Sequence, residues 1–127
     1  MKEIIRIHTN DAPPAIGPYS QCMIAGDFLF TSGQGPLDNV NADVVGETIT
    51  EQAELTMKNL EAILKEAGTD FTRIVKCNCY LSDMSLFGEF NKVYEKYVVS
   101  TPPRTCVAVK DLPKGIKCEV EMIAYLG

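Results

Sequence analysis

The segment from Thr48 to Gly68 constrains the fold more than any other part of the chain. Thr48 and Glu51 have the spacing of a capping box, in which hydroxyl and carboxylate satisfy free amide groups of a helix's first turn. Gly68 stands where a left-handed residue ends a helix. Between them one apolar stripe recurs every three or four residues: Ile49, Ala53, Met57, Leu60, Ile63, Leu64 and Ala67. A helix with one apolar face must pack on another layer, which the rest of the chain has to supply.

The opposite side of this helix is charged and is predicted to face solvent. Glu54 precedes Lys58 by four residues, and Glu61 precedes Lys65 by four. This order favours ion pairs along a helix surface. We therefore interpret the four charges as a solvated face and not as a binding site.

The remaining segments predict a sheet and one more helix. Strands are predicted at Ile4–Ile7, Ser20–Ala25, Phe28–Ser32, Ile74–Leu81, Arg104–Lys110 and Lys117–Tyr125. The second helix begins at a cap on Asp83 or Ser85 and runs to about Val98, before a break at Pro102 and Pro103. The order β-β-β-α-β-α-β-β predicts an α+β fold, one domain over residues 1–127, in which two helices cover one sheet face in a two-layer sandwich. The other face needs cover, and a subunit interface is the natural candidate.

Composition excludes several functions. Twelve Lys and Arg against 17 Asp and Glu give a net charge of −5 and a pI near 4.8, so no nucleic acid partner is expected. No apolar run approaches the length of a membrane span, and the scattered charges of Met1 to Arg6 are unlike a signal peptide. The five cysteines form no disulfide framework. We expect a cytoplasmic protein with no membrane partner.

The residues that could bind a metal or act as nucleophiles are few. His8 is the single histidine and has no neighbours arranged for zinc. Cys77 and Cys79 share a strand face about 7 Å apart, a poor bridge and an incomplete metal site, so both are interpreted as small core residues. Alternation places them with Val75 and Leu81 on one face. No metal site is expected.

Charged residues in the last two strands are the best candidates for chemistry. Arg104 follows two prolines, which give it a stiff base, and alternation places it on one face with Cys106 and Ala108. Its guanidinium could hold a substrate carboxylate, or it could pair with Glu119 or Glu121 on a neighbouring strand. The two glutamates share a face, where they are paired or form a small polar site in which one positions or deprotonates water.

Several motifs in one register carry a resemblance to a known family. These motifs are Ile16-Gly17-Pro18-Tyr19-Ser20-Gln21, Thr31-Ser32-Gly33-Gln34, Asn91-Lys92-Val93-Tyr94, Pro103-Arg104-Thr105-Cys106-Val107, Leu112-Pro113 and Glu119-Val120-Glu121. Together they resemble the RidA/YjgF family over nearly the whole chain. The resemblance implies a chorismate-mutase-like fold with a mixed sheet, assembled as a homotrimer with sites between subunits. Cys22 and Gly35 depart from the usual pattern, and both could reshape the pocket.

The resemblance also implies an activity that needs no cofactor. This activity is the hydrolysis of reactive enamines and imines, such as 2-aminoacrylate and 2-iminopropanoate, to a 2-oxo acid and ammonia. Position by position, it implies that Arg104 clamps the substrate carboxylate and Glu119 holds the attacking water. It assigns the remaining pocket wall to Tyr19, Gly33, Asn91 and Cys106, with Asn91 offered by a neighbouring subunit. Covalent catalysis by Cys106 is not expected, because no histidine stands ready to activate it.

Two other functions remain open at this point. The same arginine clamp would serve a trimeric module that binds small carboxylates without turnover. Some relatives in the family are linked to RNA as ribonucleases or translation inhibitors, although the acidic balance of this chain disfavours that role.

Overall fold

The computed structural model describes residues 2–127, which form one six-stranded sheet and two α-helices. The strands are β1 (Ile4–Ile7), β2 (Cys22–Ala25), β3 (Phe28–Thr31), β4 (Ile74–Leu81), β5 (Arg104–Ala108) and β6 (Cys118–Tyr125). The helices are α1 (Ile49–Glu66) and α2 (Phe87–Tyr97). The predicted order of elements is confirmed, although β2 and β6 begin later, and β3 and β5 end earlier, than the pattern indicated.

The sheet is mixed and has the strand order β1-β2-β3-β6-β4-β5. Neighbouring strands are antiparallel except β4 and β5, which are parallel. One sheet face and the apolar stripes of both helices are buried in a common core, to which β3, β4 and β6 contribute Leu29, Cys79 and Val120. The two-layer α+β prediction is therefore confirmed.

Helix α1 forms as its local signals predict. The Glu51 amide donates to the Thr48 hydroxyl and the Thr48 amide donates to the Glu51 carboxylate, each at 3.1 Å, which completes the capping box. Gly68, at φ +83°, follows the last turn in the left-handed conformation. Leu60, in the middle of the stripe, is fully buried. Local sequence and tertiary packing thus specify the same helix.

A β-bulge in β4 makes one predicted position wrong. Ile74 pairs with Ala124, whereas Lys76 pairs with Ile123, so the register shifts between the two. An extra residue in one strand turns the following side chains by one position. Ile74 and Cys77 are consequently buried, and Val75, predicted on the core face, is exposed. Alternation alone cannot predict the bulge, because the shift depends on the partner strand.

Helix α2 follows a short 3₁₀ turn, and one lysine of α2 forms an ion pair with α1. The Asp83 carboxylate accepts a hydrogen bond from the Ser85 amide, 2.8 Å, and caps that turn, which leads into α2. Glu54 of α1 forms an ion pair with Lys96 of α2 and not with Lys58. Neither predicted pair along α1 forms within the described residues 2–127, and Glu54 has its partner on the neighbouring helix instead.

The sheet face away from the helices is open and partly apolar. Phe28, Phe30, Val107 and Tyr125 are each between 38% and 45% exposed on it. Exposed aromatic side chains in a contiguous group are typical of a surface that another chain covers. No helix within residues 2–127 combines the length and the apolar character that crossing a bilayer requires.

Candidate functional site

The predicted site residues fall into two groups that lie on opposite faces of the sheet. Arg104 and Asn91 lie on the helix face, and Cys106 shares that face further along β5. Tyr19, Gly33 and Glu119 line a cavity at the other side. We call the first group the arginine half-site and the second the glutamate half-site.

The arginine half-site is built from the start of β5 and one side of α2. The Cys77 amide donates to the Pro103 carbonyl, 3.1 Å, and so ties the entry of β5 to β4. Arg104 Nη1 donates to Asn91 Oδ1 at 2.6 Å. The guanidinium carbon lies 4.6 Å from the centre of the Tyr94 ring and 5.3 Å from that of Phe87. Two aromatic faces and one amide therefore hold the cation in place.

The three residues of α2 that contact Arg104 share one side of the helix. Phe87, Asn91 and Tyr94 are spaced four and three residues apart, which brings their side chains together. A guanidinium has five N–H donors. Only one of its nitrogens donates to another described residue, so the remaining donors can bind a ligand carboxylate in a fork. A depression lined by Asn91, Tyr94 and Arg104 gives access to this position.

The alternative in which Arg104 pairs with Glu119 or Glu121 is wrong. β4 lies between β5 and β6, so the arginine strand and the glutamate strand are not neighbours. Arg104 is in register with Cys77, on the helix face, whereas Glu119 is in register with Tyr80, on the open face. Two strand spacings separate the backbones by about 10 Å, and the side chains then point away from each other.

The glutamate half-site is a cavity of about 330 Å³. Its wall combines Tyr19, Gly33 and Glu119 with apolar residues, among them Ile16 and Ile116. Two backbone hydrogen bonds between Gln34 and Val120, both 2.9 Å, fix the Gly33 segment against β6. A cavity of this size and character is typical of small-molecule sites.

Helix α1 also positions the loop that closes this cavity. Asn59 is buried, and its amide nitrogen donates to the carbonyls of Gly35 and Leu37 at 2.9 and 3.0 Å. Both of those residues line the cavity. Asn59, a polar residue on the buried side of α1, therefore fixes the position of the loop that forms this part of the cavity wall.

Glycine at position 33 leaves room for the Glu119 carboxylate beside the backbone. A Cβ atom at position 33 would lie 2.6 Å from the Glu119 carboxyl carbon and 2.8 Å from one of its oxygens. A Cβ atom at these distances would overlap the carboxylate, so the Glu119 side chain would have to move. Glycine therefore lets the carboxylate pack directly on the backbone, at the point where a ligand in the cavity would meet it.

The two glutamates of β6 differ sharply in their surroundings. Glu121 accepts hydrogen bonds from the Tyr80 hydroxyl, 2.8 Å, and from the Asn78 amide, 3.0 Å. The bond to Glu121, together with burial, raises the pKa of Tyr80 to about 12, so the phenol stays protonated and remains a donor. Neutral hydrogen-bond donors thus satisfy the Glu121 carboxylate. The interpretation that a mid-strand glutamate is paired therefore holds for Glu121, although its partners are not basic.

Glu119, by contrast, makes no hydrogen bond or ion pair with any residue in the described range 2–127. Burial raises the pKa of the Glu119 carboxyl above its ordinary value, and the charge of nearby Glu121 raises it further. A carboxylate in this state is a better proton acceptor than a free one. Its unused lone pairs can hold a water molecule.

Asn91 and Cys106 both lie on the helix face of the sheet, with Arg104 of the same chain. Asn91, which the resemblance assigned to a neighbouring subunit, contacts Arg104 of its own chain. Cys106 is half-buried, and its register partner on β4 is Cys79. Within residues 2–127, no group of three or more His, Cys, Asp and Glu side chains is arranged to hold a metal ion.

The sequence patterns did not indicate that Phe87 and Tyr94 belong to the site. Both belong to the apolar stripe of α2, and such a stripe normally indicates core packing. The signal that could have identified them is Asn91, a polar residue that falls within the same stripe. The buried Tyr94 hydroxyl has no hydrogen-bond partner among the described residues, so its ring, and not its oxygen, accounts for its place beside Arg104.

Comparison with known proteins identifies the family. A model of the family described as Endoribonuclease L-PSP matches residues 9–126. The crystal structure of the YjgF gene product of E. coli superposes with a TM-score of 0.88 at 35% identity, covering 95% of this chain and 98% of that one. The chain belongs to the endoribonuclease L-PSP family, and its resemblance to RidA/YjgF proteins is confirmed.

Two further relatives carry information about ligands. The mouse protein named 2-iminobutanoate/2-iminopropanoate deaminase is 42% identical over 100% of this chain and 96% of its own length. The crystal structure of E. coli TdcF with bound serine has a TM-score of 0.90 at 35% identity, covering 97% of this chain and 99% of that one.

Proposed function

We propose that this protein hydrolyses 2-imino acids and their enamine tautomers to 2-oxo acids and ammonia, without a cofactor. The substrates are small, as in 2-aminoacrylate, 2-iminopropanoate and 2-iminobutanoate. The name of the mouse relative supports this reaction, and the serine bound to TdcF supports a site for a small molecule that carries a carboxylate. The five free thiols support a reducing compartment, and we place the reaction in the cytoplasm.

One observation carries the proposal: a fixed guanidinium and an unpaired carboxylate of raised pKa lie on opposite faces of one sheet. A single chain cannot bring both to one small substrate. We infer that the protein is a homotrimer in which the arginine half-site of one chain meets the glutamate half-site of the next. The exposed aromatic residues of the open sheet face support such an interface.

The mechanism follows from the two half-sites. Arg104 binds the substrate carboxylate through two charge-assisted hydrogen bonds and so fixes the position of the neighbouring imine carbon. Glu119 holds a water molecule and accepts its proton as the oxygen attacks that carbon. Glu119 returns this proton to the imine nitrogen, which gives the tetrahedral carbinolamine. The carboxylate then carries the hydroxyl proton of the carbinolamine to the same nitrogen, the C–N bond breaks, ammonia leaves, and the ketone of the 2-oxo acid forms. Tyr19 and the Gly33 backbone bound the substrate on the side of the cavity.

Cys106 has no covalent step in this mechanism. Burial raises the pKa of its thiol, and the Arg104 charge only partly opposes that effect. The thiol is therefore protonated at neutral pH and is a weak nucleophile. We assign the backbone of Cys106 to the pocket wall.

The test is a coupled assay in which a serine or threonine dehydratase generates the imine and pyruvate or 2-oxobutanoate release is followed. Added protein should speed release. Arg104→Ala should lower kcat/KM at least roughly 100-fold, since two charge-assisted bonds contribute about 3 to 6 kcal/mol. Arg104→Lys should recover little, because an ammonium lacks the planar fork. Lys65→Ala, which removes a different cation from the exposed side of α1, is the control and should stay active.

The assay also distinguishes a binding module from an enzyme. A carboxylate-binding module would bind 2-oxobutanoate in an Arg104-dependent way and leave the rate of release unchanged. Wild-type activity in Arg104→Ala would contradict the proposal.

RNA cleavage is the second candidate, because the matched family is described by that activity. The net charge of −5 weighs against it, since RNA binding depends on neutralising phosphates. Incubation of labelled RNA with wild type and with Arg104→Ala tests it directly.

A further inference from the structure

The parallel pairing of β4 and β5 brings two cysteines side by side. Cys79 and Cys106 are register partners, and both side chains lie on the helix face of the sheet. Neighbouring strands lie about 4.8 Å apart, within the 4.4 to 6.8 Å Cα separation that disulfides span. The Cα atoms of the two register partners are therefore close enough for a cross-strand bridge.

The two thiols also interact and differ in access. Burial raises the pKa of the Cys106 thiol, while the Arg104 charge and the Cys79 side chain act in the opposite direction, which reflects their proximity. Cys79 is fully buried, whereas Cys106 is half-buried at an edge strand. An oxidant from solvent would thus reach Cys106 first and leave Cys79 to react second.

We propose that Cys79 and Cys106 form a reversible disulfide when a hydroperoxide reaches Cys106, and that this bridge is a modification site beside the arginine half-site. In the first step the Cys106 sulfur attacks the peroxide, the O–O bond breaks, and a sulfenic acid and water or an alcohol form. In the second step the Cys79 sulfur attacks the Cys106 sulfur, water leaves, and the S–S bond forms. The two thiols lose two electrons in total, and the peroxide gains them.

The surroundings set the rate of this reaction. Only the thiolate attacks peroxide, and burial raises the pKa of both Cys106 and Cys79. We therefore expect slow oxidation at neutral pH that accelerates as the pH rises. Such a pair responds to sustained peroxide and not to brief exposure.

The other cysteines do not offer the same geometry. Cys77 shares the strand and face of Cys79, about 7 Å along it. Its register partner on β5 is Arg104, not a cysteine. Cys22 and Cys118 are fully buried on β2 and β6. Only Cys79 and Cys106, among the five free cysteines, occupy paired positions on neighbouring strands.

The bridge should also change the site, a consequence that rests on the proposed function. Cys106 lies two residues from Arg104 on the same face of β5. Drawing its sulfur toward Cys79 moves the strand that carries the guanidinium. We expect oxidation to lower imine hydrolysis at least roughly threefold, with recovery on reduction.

The experiment is intact-mass spectrometry of the purified protein after hydrogen peroxide treatment at pH 8.5, with and without later dithiothreitol. Wild type should become lighter by two hydrogen atoms, and peptide mapping should join the Cys79 and Cys106 peptides. Cys79→Val should instead gain oxygen atoms at Cys106, because its sulfenic acid has no second thiol. Cys77→Val is the matched control on the same strand face and should still form the bridge.

The wild-type mass needs neither a variant nor turnover, so its result is independent of the proposed function. Absence of the lighter species, or a bridge that includes Cys77, would overturn the proposal. A bridge that leaves hydrolysis unchanged in an active protein would overturn its link to the arginine half-site.

Discussion

Arg104 and Glu119 carry opposite charges, and the fold surrounds them in opposite ways. The guanidinium is held by an amide at 2.6 Å and by two aromatic rings. The carboxylate packs on the bare backbone of Gly33 and accepts no hydrogen bond from any other described residue. The first group is fixed before a ligand arrives, and the second is left with its lone pairs free.

This difference matches the chemistry proposed for each half-site. A group that positions a substrate works best when its own orientation costs nothing at the moment of reaction. A group that accepts a proton works best when its pKa lies near the working pH, which requires burial and no strong donor. We therefore propose that Arg104 orients the substrate and that Glu119 transfers the proton.

Glu119→Gln should give the largest effect on the chemical step. The amide keeps the shape of the side chain but cannot take a proton, so kcat should fall roughly 100-fold or more. Stability at pH 7 should stay the same or rise. The raised pKa shows that ionisation of Glu119 is less favourable in the folded chain, so ionisation opposes folding above that pKa.

Coupled-assay kinetics and chemical denaturation measure both quantities for Glu119→Gln. A variant that unfolds readily, with its loss of activity explained by loss of protein, would show that the carboxylate is structural.

Gly33→Ala should have the next largest effect. The added methyl would stand 2.6 Å from the Glu119 carboxyl carbon and must displace it. Displacement of a catalytic group by about 1 Å can slow a reaction up to 100-fold, so we expect at least a tenfold loss of kcat. Gly88→Ala is the matched control, because a Cβ at that position of α2 meets nothing within 4 Å. Equal kinetics in the two variants would contradict the close contact.

Asn91→Ala should produce a smaller loss, and in binding. It removes the hydrogen bond that orients Arg104 but leaves both aromatic rings in place. We expect KM to rise roughly threefold to tenfold with little change in kcat, corresponding to about 1 kcal/mol of lost orientation. A loss confined to kcat would place Asn91 with the proton-transfer group instead.

The smallest predicted change is a displacement of the pH profile in Glu121→Gln. The Glu121 charge raises the pKa of Glu119, so its removal should lower that pKa and move the acid limb of kcat/KM to lower pH. Tyr80→Phe is the control, because it removes a hydrogen bond to Glu121 and keeps the charge. An acid limb that moves to higher pH in Glu121→Gln would reverse the electrostatic assignment.

The fold was predictable where one segment determines its own structure. The capping box, the stripe of α1 and the left-handed Gly68 all act within a few residues, and each is present. The exposed Val75 and the Glu54–Lys96 pair were not predictable, because a bulge and an interhelical contact depend on the partner strand and the partner helix.

For the site, the motifs identified the residues but not their arrangement. Strand alternation correctly placed Arg104 with Cys106 on one face, and Glu119 with Glu121 on another. Which faces these are depends on how β5 and β6 pair in register with β4, which lies between them, and local patterns do not contain this tertiary information. The same fact pairs Cys79 with Cys106, which their separation along the chain conceals.

The central claim is that a working site combines Arg104 of one chain with Glu119 of another. Its most direct test mixes equal amounts of Arg104→Ala and Glu119→Gln chains, unfolds and refolds them together, and measures imine hydrolysis. Each variant refolded alone should be nearly inactive. With random mixing in a closed trimer, about one site in four contains both wild-type side chains, so roughly a quarter of the activity of refolded wild type should return. A mixture no more active than the two variants refolded separately would contradict the claim.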